Sequence, residues 1–310
     1  MAAMVWGAAA MPVLAGFEVT DKNGRIEISD NGKIVFGWQH QNLNNPKGGE
    51  KFVCSAFVHP LSTPSGFVLT DVQPGDHLHH LGVWWPWKML KVKDQQYVTW
   101  EMQKGDGRQV AVGATVKSQS ADEVVLEVEN KHEIKPKDGG YTPVVKELAT
   151  LRFGRVKDDG YILDITIHHR PLGDDPVEIP KYRYSGFSWR GTPEWTKDNS
   201  VMRTSGGHDR DKANGQEARW VTVDGVTKTG KATMLIMSGA GKNDGTAERL
   251  RVWNSSMHHG TPFVNFNPVV KESIPLTPER GEVALRRYRI VVADREITPA
   301  EADALWKAWK

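Results

Sequence analysis

The chain has almost no cysteine. Cys54 is the only one among 310 residues, so an internal disulfide cannot form. A zinc or iron–sulfur site built from several thiolates is excluded for the same reason. Any metal site must therefore use imidazole nitrogens and carboxylate oxygens as ligands.

The chain also lacks an excess charge and a long apolar run. Forty Lys and Arg residues face 38 Asp and Glu residues, which leaves a formal net charge of +2. That balance does not give the electrostatic footprint of a nucleic-acid-binding protein. No segment approaches the roughly 18 uninterrupted apolar residues of a membrane-spanning helix. We therefore expect a small-molecule or oligosaccharide partner, with no nucleic acid and no membrane span, and the oligomeric state stays open.

The first residues form a short apolar segment. Residues 2–16 are rich in Ala, Met and Val but have no basic residue before them, and they are too few to span a bilayer. We interpret residues 1–16 as the remnant of a secretory signal peptide and residues 17–310 as a single domain. The protein would then be periplasmic or secreted; without a signal it would be cytoplasmic.

Alternating polar and apolar residues dominate the rest of the chain. In residues 160–168, the side chains of Tyr161, Leu163, Ile165 and Ile167 fall on one face, which is typical of an antiparallel sheet with one solvated side. Similar segments lie at 25–28, 109–112, 123–129 and 287–292. Short turns rich in Gly, Asp and Asn separate them. The sequence predicts an all-β, mostly antiparallel fold.

One helix is predicted, at the C-terminus. Thr298 is placed to be the N-cap, Pro299 the first helical residue, and Glu301 the residue that closes a capping box. We expect this helix to pack on a sheet edge. Its predicted apolar stripe is Ala304, Leu305, Ala308 and Trp309.

Three histidines occur within four positions, in the segment from Asp76 to Gly82. Imidazole is the commonest protein metal ligand and titrates near neutrality. In an extended segment His77 and His79 would share one face and His80 would face the other way. The spacing favours His77 and His79 as metal ligands and His80 as an acid or base. The alternative is an ordinary hydrogen-bonded turn in which Asp76 makes an Asx-turn.

A second histidine pair lies in the C-terminal third of the chain. His258 and His259 are flanked by Gly and Pro, and one of them could complete a pocket begun by His77 and His79. Because adjacent strand residues face opposite ways, at most one of the pair is expected to point inward. The pair His168–His169 closes a regular strand, and we interpret it as structural.

Two arginines stand beside tryptophans, in Trp189–Arg190 and Arg219–Trp220. A planar guanidinium next to a large aromatic face suits a sugar ring and its hydroxyls, so these four residues are candidates for substrate binding. The alternative is a surface cation–π contact. Twelve tryptophans in the chain slightly favour a carbohydrate surface.

Several of these motifs carry a family resemblance. The segments 59–66, 76–82, 184–190 and 219–221 resemble a bacterial family of unknown function labelled methane oxygenase PmoA-like (DUF6807-type), over about residues 52–293. The resemblance implies a large β-sandwich, similar to the galactose-mutarotase-like supersandwich, with a short C-terminal helix. It also implies an association with carbohydrate catabolism.

The favoured function is a metal-assisted lyase or hydrolase that cleaves a glycoside, with a keto-glycoside as the first substrate to test. His77 and His79 would hold a divalent cation (Zn, Mn or Fe) while His80, or else His59, moves the proton. Tyr184 is a further proton-transfer candidate. The alternatives are a metal-free sugar mutarotase or epimerase and a non-catalytic carbohydrate-binding protein. A cupin oxygenase ranks lower, because the carboxylate expected shortly after the second histidine is missing.

Overall fold

The fold is mostly antiparallel β, with 53% of the residues in strands and 8% in helical segments, as the alternation predicted. The structure, a computed structural model, describes residues 16–45, 48–156, 160–239, 248–280 and 283–309. The predicted signal-peptide remnant lies outside these residues except for Gly16. The single domain over residues 17–310 stays a prediction.

The strands are numbered β1 to β21 in chain order. Their bounds are β1 Glu18–Lys22, β2 Arg25–Asp30, β3 Lys33–Gln39, β4 Phe57–Leu61, β5 Val83–Trp84, β6 Met89–Val92, β7 Gln95–Val98, β8 Gly107–Gln119, β9 Glu123–Ile134, β10 Thr142–Val156, β11 Gly160–Pro171, β12 Val177–Ile179, β13 Ser188–Arg190, β14 Ser200–Thr204, β15 Glu217–Ala218, β16 Trp220–Thr227, β17 Gly230–Ser238, β18 Glu248–Val252, β19 Phe263–Asn267, β20 Ile274–Leu276 and β21 Val283–Ala293. Short 3-10 turns span Glu50–Phe52, Met102–Lys104, His258–Gly260 and Pro278–Arg280, and one α-helix, α1, spans Pro299–Ala308.

Two large sheets pack face to face. One has nine strands in the order β1-β2-β3-β4-β5-β13-β19-β18-β15, and the other has eight in the order β14-β16-β17-β21-β11-β10-β9-β8. Apolar side chains from both form one buried cluster; among them are Ile28 and Phe36 from the first sheet and Leu151, Ile165 and Ile290 from the second. This arrangement is a β-sandwich. A third sheet of four strands, β20-β12-β6-β7, has its own smaller core.

Strand β11 shows how the sequence pattern produces the core. Tyr161, Leu163, Ile165 and Ile167 are all buried in the sandwich, while Asp164 on the opposite face accepts hydrogen bonds from Arg289 of β21 at 2.6 Å. β11 pairs with β10 on one side and β21 on the other. The period-2 pattern therefore fixes both the buried face and the register.

The C-terminal helix forms where predicted, but it packs differently. The Thr298 hydroxyl accepts a hydrogen bond from the Glu301 amide at 3.2 Å, while the Glu301 carboxylate binds Arg295. The predicted stripe was wrong in part, because Ala304 and Ala308 are exposed. The packed residues follow a helical period instead and are Ala302, Leu305, Trp306 and Trp309.

The helix covers a sheet face, and the expected position on a sheet edge was wrong. Its apolar residues contact Trp220, Met237 and Val291, which belong to the interior strands β16, β17 and β21 of the eight-stranded sheet. Covering apolar side chains on the outer face of that sheet explains the position. Within the described ranges, no helix has both the length and the apolar character to cross a membrane.

The nine-stranded sheet has two differently occupied faces. Val83 of β5 and Val264 of β19 point into the sandwich core. Their chain neighbours Trp84 and Phe263 point outward into a separate cluster of aromatic residues that includes Trp253. Successive side chains of a strand alternate between faces, so this outer cluster has the sheet as its base. The histidines gather there.

Candidate active site

The loop between β4 and β5 is folded into two successive turns. The His77 amide donates to the Pro74 carbonyl at 2.9 Å, and the His80 amide donates to the His77 carbonyl at 3.0 Å. The Gln73 amide donates a hydrogen bond to the His80 carbonyl at 2.7 Å, which closes the loop. Gly82 follows with a φ of 66°. A Cβ atom there would lie 2.4 Å from the Val58 carbonyl oxygen, so only glycine fits against β4.

These turns bring the three histidines together, and the expected separation of His80 from His77 and His79 was wrong. The ring centroids of His77 and His80 are 4.6 Å apart, those of His79 and His80 are 4.8 Å apart, and those of His77 and His79 are 5.4 Å apart. Face alternation holds only for extended backbone, and this backbone turns. His80 is the deepest of the three, at 3% exposure, and its ring stacks on Phe263.

Three potential metal ligands converge beside this loop. The ring nitrogen Nδ1 of His77 lies 3.3 Å from Oδ2 of Asp76, and Nδ1 of His258 lies 3.2 Å from the same oxygen. One ligand atom from each of these residues lies within 4.8 Å of the others. His79 does not belong to this group, so the group that the structure brings together differs from the predicted pair. His258 takes the place of His79, and Asp76 supplies a carboxylate.

Arg190 forms an ion pair with Asp76. Its Nη2 atom donates to both carboxylate oxygens of Asp76 at 3.1 Å, and its guanidinium carbon lies 4.6 Å from the centre of the Trp253 ring. Main-chain bonds from the end of β13 to Asp71 and Gly82 fix the arginine under the loop. Although burial alone would raise the pKa of Asp76, the charge and hydrogen bonds of Arg190 keep it below its usual value. Asp76 is therefore an anion.

His258 sits on an unusual turn. Both His258 (φ 49°) and His259 (φ 56°) have left-handed backbone conformations, which are uncommon outside glycine and occur often at functional sites. The His258 ring packs 4.0 Å from the Trp253 ring. His258 lines the pocket, and His259 is not among the lining residues. The structure thus brings one histidine of the pair to the site.

The imidazoles of His77, His79 and His80 are neutral at ordinary pH. Burial lowers the pKa of His77 despite the opposing Asp76 charge. It also lowers the pKa of His79 to about 4 and that of His80 well below the ordinary value. Neutral imidazole has a free lone pair, which metal binding and proton abstraction both require.

A second polar group adjoins the pocket, and its members Glu101 and Tyr184 line the pocket wall. Lys88 and Glu101 make a close ion pair, and the Tyr184 hydroxyl donates to Oε1 of Glu101 at 2.6 Å. Burial raises the pKa of Tyr184 to about 12, and burial together with the charges of Lys104 and Arg183 lowers the pKa of Lys88 to about 8. Tyr184 therefore keeps its proton and can act as a donor.

The pocket is a cavity of about 250 Å³. Trp100 and Trp253 provide aromatic surfaces, while Arg183 and Arg251 contribute cationic groups. A concave site with aromatic walls and a few convergent polar groups is the usual form of a small-molecule site. Sequence reasoning had not singled out Trp100, Arg183, Arg251 or Trp253, because none stands in a motif of its own.

Several predicted site residues lie elsewhere. His59 does not line the pocket; its Nδ1 atom bonds Thr70 Oγ1 at 2.8 Å. Trp189 is fully buried in the sandwich core and donates to the Leu69 carbonyl. Successive side chains of a strand point to opposite faces of the sheet, so Trp189 faces the core while Arg190 faces the site.

Arg219 and Trp220 do not lie on the pocket wall, which corrects the expectation that Arg219 would bind substrate there. The Arg219 guanidinium lies over Trp306 of α1 at 5.2 Å, and the indole nitrogen of Trp220 donates to Asp303 at 2.8 Å. Both residues contact the C-terminal helix on the other sheet. Their pairing in sequence thus reflects packing of that helix.

A second histidine cluster is fully buried. From the sequence we interpret the pair His168–His169 as structural, but the sequence does not connect it with His132 and Glu147. Nε2 of His132 and Nε2 of His169 both lie near Oε2 of Glu147, at 2.8 and 3.0 Å. The other oxygen accepts hydrogen bonds from Trp85 and Asn130, both at 2.6 Å. Adjacent antiparallel strands bring these residues together: Glu147 is the Cα partner of His169 on β11 and of Asn130 on β9. Pairing across strands gives no signal in a single sequence.

The fold and the site define a β-sandwich protein with an aromatic-lined histidine pocket on the outer face of one sheet. A family model described as a family of unknown function (DUF6807) matches residues 25–307, and the chain belongs to that family. The match extends at both ends beyond the stretch that the motifs indicated. No curated protein matches the chain.

Proposed function

We propose that the protein is a carbohydrate-active enzyme that cleaves a glycoside in the histidine pocket, as a metal-assisted lyase or hydrolase. The observation that carries the proposal is the convergence of Asp76, His77 and His258 beside a cavity with aromatic and cationic walls. The association of the resembled family with carbohydrate catabolism points the same way, by analogy only.

The side chains present suit a divalent cation. His77 Nδ1 is buried and has no hydrogen-bond partner, although it lies 3.3 Å from the Asp76 carboxylate. Two imidazoles and one carboxylate form a ligand set that zinc, manganese and iron accept. Arg190 would orient the carboxylate from behind, as partners of metal ligands commonly do. When bound, the cation would polarise a carbonyl oxygen of the substrate.

His79 is now the best candidate for the base. It lines the pocket next to the proposed ligands without belonging to their group, and burial keeps its ring neutral. His80, the first choice from sequence, is almost fully buried against Phe263 and His77. We assign His80 the role of packing and orienting the other two rings.

Tyr184, which also lines the pocket, is placed to supply a proton. In an elimination, the base removes a proton from the carbon beside a carbonyl group, and the electrons of that C–H bond form a C=C bond. The C–O bond to the aglycone breaks, and its oxygen takes up a proton. Tyr184 is protonated and bonded to Glu101, so it can give this proton and regain one from solvent.

Turnover before and after chelation tests the proposal. A panel of glycosides and their keto forms is incubated with wild type, with His79→Ala and with His259→Ala, the last as control because His259 does not line the pocket. We expect turnover that chelation abolishes, that His79→Ala reduces at least about a hundredfold and that His259→Ala leaves unchanged. Turnover that survives chelation would favour the mutarotase or epimerase alternative. Binding without turnover would favour the carbohydrate-binding protein.

A further inference from the structure

The charges around the pocket do not balance. Glu101 is the only carboxylate among the lining residues, and it is already engaged by Lys88 and Tyr184. Asp76, at the loop beneath, is engaged by Arg190. Each acidic group therefore has its own cation, and the two remaining arginines of the pocket, Arg183 and Arg251, are in excess.

Neither of these arginines has an acidic partner within the described part of the chain. Arg251 is half-buried and donates from Nη1 to the neutral amide oxygen of Asn214 at 3.1 Å. Arg183 is exposed and lies over the Tyr184 ring, 5.6 Å from its centre. Burial, and after it the charge of Arg183, lowers the pKa of Arg251. Two guanidinium groups that repel one another at a partly desolvated wall would be stabilised by an anion.

We propose that the glycoside cleaved in this pocket is acidic, a uronate whose carboxylate is bound by Arg183 and Arg251. This inference rests on the proposed function and names its substrate class. The guanidinium fork matches a carboxylate with two parallel hydrogen bonds. A neutral sugar would leave both charges without a partner.

A uronate also suits the chemistry of elimination. Its carboxylate makes the neighbouring ring C–H bond acidic once cationic groups offset the charge. Removal of that proton and departure of the oxygen on the next carbon give an unsaturated uronate and a free hydroxyl. Every atom and electron is accounted for, and no oxidant is required. A keto-glycoside, in contrast, would first have to be made by oxidising a glycoside elsewhere.

A matched pair of ligands tests the substrate class. Methyl β-D-glucuronide and methyl β-D-glucoside differ only in the carboxylate, and their binding to the protein is measured by calorimetry with and without added divalent cation. We expect the glucuronide to bind at least about tenfold more tightly, with a preference that declines as salt is raised. Equal affinity for the two ligands would overturn the inference.

Substitutions locate the carboxylate. The double variant Arg183→Gln/Arg251→Gln should bind the glucuronide no better than the glucoside, and the exposed Arg183→Gln alone should lose part of the preference. Arg219→Gln, a surface arginine on the other sheet, is the control and should keep the full preference. Circular dichroism checks that each variant is folded. A preference that survives in the folded double variant would overturn the assignment.

The same titrations separate the substrate class from the chemistry and from other anions. Methyl β-D-glucoside 6-sulfate carries its charge on a sulfate, and equal or tighter binding of this ligand would overturn the choice of a carboxylate. Cleavage is tested on a methyl glucuronide that carries a second sugar on O4, the oxygen that elimination would expel. If this uronide binds selectively but is cleaved neither there nor at its glycosidic bond, the substrate class stands and the proposed lyase or hydrolase fails. If neutral glycosides bind and are cleaved equally well, the enzyme stands and the uronate fails.

Discussion

The pocket and the buried cluster contain the same residue types in different states. Asp76, His77 and His258 and the buried set of His132, Glu147 and His169 each offer two imidazoles and a carboxylate within 4.8 Å of one another. In the buried set, both oxygens of Glu147 accept hydrogen bonds. In the pocket set, both oxygens of Asp76 accept hydrogen bonds from Arg190, but His77 and His258 line a cavity.

The two sets differ in the surroundings of the ring nitrogens that lack a hydrogen-bond partner. In the buried set, only Nδ1 of each imidazole has no partner. This fits rings that donate from Nε2 to Glu147 and leave Nδ1 in apolar surroundings. In the pocket, the unpartnered Nδ1 of His77 is the atom that faces Asp76. Residue types alone do not distinguish a structural network from a candidate ligand site. Burial does, because His132, Glu147 and His169 are fully enclosed whereas His77 and His258 line a cavity.

The largest expected effect is on stability, from Glu147→Ala. This change removes the acceptor of Trp85, Asn130, His132 and His169 and leaves four buried donors unsatisfied. We expect the free energy of unfolding to fall by about 5 kcal/mol, measured by urea denaturation. Glu129→Ala, on the neighbouring strand with a half-buried ion pair to Lys146, is the control and should cost less than about 1 kcal/mol. Similar losses of unfolding free energy in both variants would contradict the structural role of the buried cluster.

A smaller effect is expected on metal binding, from Arg190→Lys. Lysine keeps the charge but loses the rigid, planar guanidinium that places Nη2 against both oxygens of Asp76. We expect the affinity for a divalent cation to fall by about 10- to 100-fold in calorimetric titrations. Arg219→Lys should bind the cation as wild type does, because Arg219 lies against α1. An unchanged affinity in Arg190→Lys would show that Asp76 does not need the guanidinium of Arg190 to orient it.

The smallest effect concerns pH and the buried cluster. Burial lowers the pKa of His169. Burial would raise the pKa of Glu147, but the hydrogen bonds of His132 and His169 bring it below its usual value. The folded protein therefore binds fewer protons than the unfolded chain, and stability is lost as pH falls below the ordinary histidine value of 6.5 and further below the ordinary glutamate value of 4.5.

The variant His169→Gln isolates one part of that loss. Glutamine can still donate to Glu147 but does not titrate. Between pH 7.5 and pH 5, we expect the variant to lose about 1 kcal/mol less unfolding free energy than wild type, by urea denaturation at each pH. Parallel pH profiles for the two proteins would contradict the assignment of a neutral His169.

The sequence predicted the strands and the helix better than it predicted which distant residues meet at the site. Period-2 alternation identified β11, and the Thr298–Pro299 pair located the start of α1, because both signals are local. The site needed contacts between distant segments: Asp76 and His258 stand far apart in the chain and meet only because β5, β13, β19 and β18 are neighbours in one sheet. The extended-strand assumption failed for His80, where Pro74 and Gly75 precede a chain that turns.

The most direct measurement of the central claim is a titration of chelator-treated protein with zinc, manganese and iron(II), followed by calorimetry and metal analysis. We expect that wild type binds a divalent cation, that His258→Ala weakens the binding at least about tenfold, and that His259→Ala and His169→Gln do not. Wild type that binds no cation would contradict the proposed metal site. So would a cation lost in His169→Gln and kept in His258→Ala, because the buried cluster would then be the metal site.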